Sequence, residues 1–511
     1  MKIKSYILAA AIGVLLASCQ KTSIPSDFSE TSRSAKIYPE YEGVVIPPNI
    51  APMNFIVYEN AEKYAVSASY ADKTIEAYAS EDGKIMFDEN EWKTLLSAAK
   101  GKSIQFAIYA KTSGGEWTKF KNFSMDVAEE EIDNYVSYRL IEPGYETYRQ
   151  LGLYQRNLTN FKVQTIYENN RSYEDKNNHC INCHNYQNYS TRNMLFHIRG
   201  AHGGTMIVND NNLEKINMKS DSIVSGAVYP SWHPTKPWIV FSSNNTGQTF
   251  HLLDKQKIEV IDIASDLIFY DTKRKTLRNI LRTFTDFETF PAWSPDGQTL
   301  YYCKASLPEL ARVPDSLKTK FLTTYYKYLH YDIMSMSFDA STQTFGKPQL
   351  VVDCASRNKS AAVPRISPDG KYLLFTVADY GQFHIWHKTA DLYIKDLQTG
   401  QIRNLKAANS NNTESYHSWS SNGRWIMFTS RRNDGSYTRL YISYFDRNGK
   451  EHKAFMIPQR DPEQNILLLK SYNVPEMTRD AVEISSEEFK KVIYDTEGTP
   501  VKYESSSQTN K

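Results

Sequence analysis

The sequence predicts an all-β chain, a C-terminal β-propeller of about six to seven blades preceded by a small β-sandwich. Two observations carry this. Aromatic residues make up 13% of the 511, with 35 tyrosines, and aromatic side chains favour the half-buried faces of sheets. In the C-terminal half a strand, a tight turn and a second strand recur four times, and self-similarity of this kind marks an array of stacked or radial units.

The elements follow in chain order. Lys2 and Lys4 precede an apolar run from Ile7 to Leu16, which ends in Ala17, Ser18 and Cys19. Such a run is too short to remain as a membrane span, so residues 1–19 read as a signal peptide. Leu16-Ala17-Ser18-Cys19 resembles the lipobox of bacterial lipoproteins, and the resemblance implies that Cys19 carries the lipid. An ordinary secretory signal cleaved elsewhere, or a buried helix, are the alternatives. The expected protein is exported and tied to the outer membrane through its lipid alone. Gln20-Lys21-Thr22 lacks an acidic run that would suggest surface export, which favours the periplasmic face over the cell surface. Lys and Arg number 60 against 58 Asp and Glu, so there is no basic footprint for nucleic acid. Residues 20–40 are rich in Ser, Thr and charge and read as a flexible tether.

Residues 41–135 alternate in short strands. Ile104 to Ala110 and Trp117 to Phe123 flank a Ser113-Gly-Gly turn, a hairpin pattern. One helix is expected from Glu89 to Ala99, opened by Asp88 or Asn90 and closed by Gly101. Together these describe a β-sandwich-like domain.

Residues 226–475 hold the repeats. Their first strands and turns are Tyr229-Pro-Ser-Trp-His-Pro-Thr-Lys236, Phe290-Pro-Ala-Trp-Ser-Pro-Asp-Gly297, Val363-Pro-Arg-Ile-Ser-Pro-Asp-Gly370 and Tyr416-His-Ser-Trp-Ser-Ser-Asn-Gly423. Each leads into an apolar strand, and a third strand follows after 15 to 35 residues, at Ser265 to Asp271, Tyr331 to Phe338, Ala390 to Asp396 and Thr438 to Tyr444. Glycine gives three of the four turns the positive φ that a tight hairpin needs. The Ser-Pro-Asp-Gly turns at 294–297 and 367–370 resemble the repeats of TolB-like propellers, over about residues 229–460. Remaining blades are expected in 135–225 and beyond 460, with the haem-motif segment and first propeller strands in 136–225 and a tail in 476–511. The chain is also similar to the propeller part of prolyl-oligopeptidase-type hydrolases, but no Gly-x-Ser-x-Gly elbow follows, nor a nucleotide-binding or His-Glu-x-x-His motif. No catalytic residues are expected.

Chemistry concentrates in one place. Asn178-His179-Cys180-Ile181-Asn182-Cys183-His184 contains Cys-x-x-Cys-His, the attachment pattern of c-type haem. Cys180 and Cys183 would bond the haem and His184 would be the proximal iron ligand. Met194, His197, His202 and Met206 follow closely, with Met194 and His197 ranked as distal candidates. The alternatives are a zinc site on Cys180, Cys183 and two of His179, His184, His197 and His202, or a disulfide, redox-active or unused pair. Tyr138 to Glu146, taken with this motif, resembles a group of exported propeller lipoproteins carrying Cys-x-Asn-Cys-His before the blades. Cys303 and Cys354 stand alone in predicted strands or strand ends and read as small buried hydrophobes or a pair. The expected function is electron transfer or redox sensing through one covalent haem c, with an envelope or redox partner. The alternative is a non-enzymatic interaction scaffold in envelope assembly or secretion, with structural cysteines or zinc.

Overall fold

The computed structural model describes residues 23–142, 150–169, 179–251, 253 and 258–505. Residues 1–19, read above as a signal peptide ending in a lipidated Cys19, lie outside them.

Six four-stranded blades surround an axis. Their innermost strands are Ser471–Thr478, Cys180–Gln187, Ala227–Trp232, Asp286–Trp293, Ser360–Ile366 and Glu414–Trp419, in blades one to six. Each packs on the next and the last on the first, so no inner face stays open. Blade one is a composite. Its outer three strands, Tyr135–Ile141, Gly152–Asn157 and Val163–Glu168, come from early in the chain, and its inner strand comes from the end. The ring is therefore closed by one antiparallel ladder between distant parts of the chain.

The inner strands share a device. Each carries one non-glycine residue at positive φ: Cys183 (48°), Tyr229 (45°), Phe290 (50°), Val363 (54°), Tyr416 (42°) and Val474 (46°). At each, the pairing register to the neighbouring strand shifts, as in a β-bulge. Left-handed backbone is costly for valine or an aromatic residue, so six copies at one position mark a built feature. Proline follows in four blades (230, 291, 364, 475) and histidine in two, His184 and His417. Three residues beyond the bulge stand Tyr186, Trp232, Trp293, Ile366, Trp419 and Met477, all six of them buried core residues. The turns behave as their sequences require. Gly297 sits at φ 69°, and a Cβ there would meet the His233 ring of the neighbouring blade at 2.3 Å.

Three expectations need correction. The stretch taken as a tether is packed from Ser23 onward: Ser29–Glu30 pairs with Thr118 and Lys119, and Ile37–Tyr38 with Ile56 and Val57. Arg33 supports this with a two-pronged bond to Glu59 at 2.7 and 2.8 Å. Its polar composition conceals strand edges that need only backbone partners. The supposed tail is structural too. A helix at Ser486–Asp495, opened by a Ser485–Glu488 capping box, buries Phe489 and Ile493 against blades one and two. Thr499–Pro500 and Lys502–Tyr503 then extend the outer edges of blades two and three. Finally, the unequal spacing of the turns implies a long loop around Leu307 to Tyr328, and that insert contains a helix, Asp315–Tyr325.

The N-terminal domain has a seven-stranded and a three-stranded sheet. Its helix runs Glu89–Ala98, and Asp88 caps it by accepting from the Asn90 and Glu91 amides. It is not a separate bead. Its core is continuous with Trp425, Met427 and Phe455 of blade six and with Val136, Tyr138 and Met477 of blade one. The Trp425 indole donates to the Glu130 and Glu131 carbonyls, 3.2 Å from each.

One buried group sets a pH dependence. Glu288, two residues before the blade-four bulge, is 1% exposed, and burial, helped by Asp266 and Asp286, pushes its pKa to about 8. The folded protein therefore keeps a proton that the unfolded chain releases, and stability falls as pH rises from the unfolded value toward 8. Glu288→Gln is expected to melt higher than wild type at about pH 8, with the gap closing toward about pH 5. Melting curves across that range check this, and a gap that widens on acidification would contradict it.

Candidate axial site

The six bulges face one cavity of about 320 Å³ at one mouth of the channel. Its collar is the set of left-handed residues themselves, Cys183, Tyr229, Phe290, Val363, Tyr416 and Val474. Loops add Phe383, Ile385 and Trp386 from blade five, and the long hairpin of blade three adds Thr246, Gln248 and Val260. At the other mouth lies a second cavity of about 190 Å³, lined by Trp232, Trp293, Trp419 and Glu476. Arg365 lines both.

The Cys-x-x-Cys-His segment forms one wall of the larger cavity. Cys180 opens the inner strand of blade two opposite Arg199, and Asn182 lies opposite His197. The bulge at Cys183 turns what would be opposite faces of a strand into one, because an extra residue separates the two sulfurs. Cys180, Cys183 and His184 all line the cavity, and both thiols are free. Cys180 is buried, its sulfur 3.2 Å from the donating Asn182 amide. Burial raises its pKa, against the pull of Arg139 and Arg199. His184 is 3% exposed. Burial, then the Arg139 charge, push its pKa down to about 3, so the imidazole is neutral. Both ring nitrogens are buried, and backbone groups of Val474 and Ser137 interact with the ring and oppose that shift.

Its counterpart in blade six is held in the same way. His417 Nε2 lies 3.2 Å from the Leu374 carbonyl, so that ring is partly satisfied by the preceding blade. Four other blades place proline there. The repeat thus requires no imidazole at this position.

The other candidates are not gathered at the cavity. Met194 is fully buried in the core between blades one and two, beside Leu153, Phe196 and Met206. His197 faces Thr205, with Nδ1 3.2 Å from its hydroxyl. Neither lines the cavity. His179 lies 3.3 Å from the Tyr167 hydroxyl, and the His202 ring packs on Tyr494 of the C-terminal helix. Among the described residues no three His, Cys, Asp or Glu side chains converge as a metal cage, so the ligands named for zinc do not assemble. Cys303 and Cys354 are free and buried.

Sequence reasoning missed the collar and the arginines. The signal was present: the residue before Pro or His in each repeat is apolar or aromatic, and Cys183-His184-Asn185-Tyr186 and Val474-Pro475-Glu476-Met477 are two further copies.

No protein-family model matches the sequence, and no curated protein matches it. Solved structures give loose likenesses. TolB from Acinetobacter baumannii is 12% identical, with 76% of this chain and 84% of that one covered and a TM-score of 0.41. A hypothetical selenium-binding protein from Sulfolobus tokodaii is 8% identical, with 70% and 96% covered and a TM-score of 0.38. An auxiliary nutrient binding protein from Bacteroides thetaiotaomicron is 11% identical, with 84% and 98% covered and a TM-score of 0.30. The propeller is established by the blade pairing of this chain itself.

Proposed function

We propose that this protein is a lipid-anchored envelope propeller that carries one haem c at the mouth of its channel, for electron transfer or redox sensing. The observation that supports this most is the shared wall of Cys180, Cys183 and His184, with a buried, neutral imidazole beside the two thiols. A haem would supply a one-electron couple tuned by its axial ligand and surroundings. The protein's own part is to fix two thiols on a rigid strand, to hold a neutral imidazole beside them, and to wall off water with the aromatic collar.

One observation favours the second reading, a non-enzymatic scaffold with structural cysteines. Cys183 and His184 fall on the repeat's standard bulge, so part of the motif is explained by blade construction alone. A single preparation separates the two. The full-length precursor is exported in a bacterial host that matures c-type cytochromes, purified and denatured. The haem reading expects a polypeptide heavier by one haem and a Soret band that survives denaturation. It expects both to vanish in the Cys180→Ser, Cys183→Ser double variant. A bare polypeptide from that host overturns it.

A further inference from the structure

The charged groups lining the larger cavity are all of one sign. Arg139, Arg199 and Arg365 contribute, and no aspartate or glutamate is among its described lining residues. Arg139 Nη1 donates to Asn182 Oδ1 at 2.7 Å, beside the motif, while its Nε is buried without a hydrogen-bond partner. Arg365 rises through the floor, since it lines both cavities. The carboxylate it faces, Glu476, is 3.9 Å away. Glu476 Oε1 instead accepts from Asn185 at 3.0 Å, and its Oε2 has no partner. Burial raises the Glu476 pKa to about 7, so near neutrality it only partly balances the arginine.

Cationic groups on low-dielectric walls make such a cavity a well of positive potential. Guanidinium groups match carboxylates as two-pronged donors. The collar supplies flat apolar surface from Tyr229, Phe290 and Tyr416, with Phe383 and Trp386 above. We infer that this cavity selects a planar aromatic ligand bearing carboxylates, and that Arg139 and Arg365 are the residues that select it. The inference deepens the haem reading by assigning the residues that meet the acidic edge of a porphyrin. It does not depend on thioether formation.

The test uses full-length mature protein made without cytochrome maturation, and metal-free probes. Protoporphyrin IX and its dimethyl ester share a ring and differ in two negative charges. Wild type is expected to bind the free acid at least tenfold more tightly than the ester, as quenching of porphyrin or tryptophan fluorescence reads it. This follows because charge-assisted hydrogen bonds are the strong class. Salt should shrink the ratio. Arg139→Gln and Arg365→Gln should each bring it toward one, and Arg365→Lys should recover part of it. Each variant is compared at matched cooperative unfolding. Equal affinity of wild type for acid and ester overturns the inference, as does a ratio that neither glutamine variant changes. Acid selectivity alongside a bare matured polypeptide would leave this inference standing and remove the covalent haem. The reverse combination would remove this inference alone.

Discussion

A chain ending at Leu469 is expected to yield no folded protein. That truncation removes Ser471–Thr478, the inner strand of blade one, which pairs along its whole length with Tyr135–Ile141 and touches the inner strands of blades two and six. Without it, blade one exposes an unpaired edge, blades two and six lose the strand they pack on, and the ring cannot close. The lost contacts are large on the scale of folding. Tyr472 and Met477 are 4% and 2% exposed, each worth about 1.5–3 kcal/mol of burial. The ladder adds about 0.5–1.5 kcal/mol for each hydrogen bond, against a total stability of about 5–15 kcal/mol. The comparison chain ends at Glu483, keeping the ladder but losing the helix and the two edge strands that follow. It should unfold cooperatively at a lower temperature, because Phe489 and Ile493 leave the core. Circular dichroism and limited proteolysis of the two chains decide the matter. A protease-resistant product from the shorter one would show that closure is not what holds the blades together.

Much of this architecture could be read from residues, and the failures share a physical cause. The four repeats with Trp or Ile after the bulge and Gly or Lys at the turn are legible because tight turns and apolar strands leave local signatures. The copies at Cys183 and Val474 escaped notice because their turn chemistry is absent. One is followed by Asn188 and Tyr189, both at positive φ without glycine. The other ends the ring and needs no hairpin partner after it. Blade one was unreadable as a unit because its strands are separated by some 300 residues, and long-range pairing has no local pattern. The N-terminal edge strands and the C-terminal staple failed for the opposite reason. Polar composition suggested disorder, yet backbone pairing with an existing edge requires little apolar surface. At the site, the motif gave the three residues of one wall. The arginines and the collar were hidden because their meeting depends on which blades face the same mouth.

His184→Pro is expected to keep the fold and to remove the imidazole proposed as the iron ligand in one step. Proline inside a paired strand normally removes a ladder bond and is confined to edges and bulges. Here the register passes from Asn182 directly to Asn185, so residue 184 lies in the unpaired part of the bulge. The equivalent residues 230, 291, 364 and 475 are already proline, each after a left-handed neighbour. The variant should therefore melt within a few degrees of wild type. Proline at Ile181, buried and paired with Ile198, should cost about 3 kcal/mol or more. In matured protein the two thiols are untouched, so the expected product retains the mass of one haem. Its spectrum should change to that of an iron missing its histidine, with altered Soret position and a shifted potential. A folded variant with an unchanged spectrum would show that the imidazole does not bind the iron. A variant that fails to fold while the Ile181 substitution is tolerated would show that blade two does not share the bulge of its neighbours. The repeat thereby supplies its own control, because five sibling strands state which residues the backbone accepts at this point. Whatever distinguishes Cys183-His184 from them beyond that tolerance is attributable to the cavity it faces.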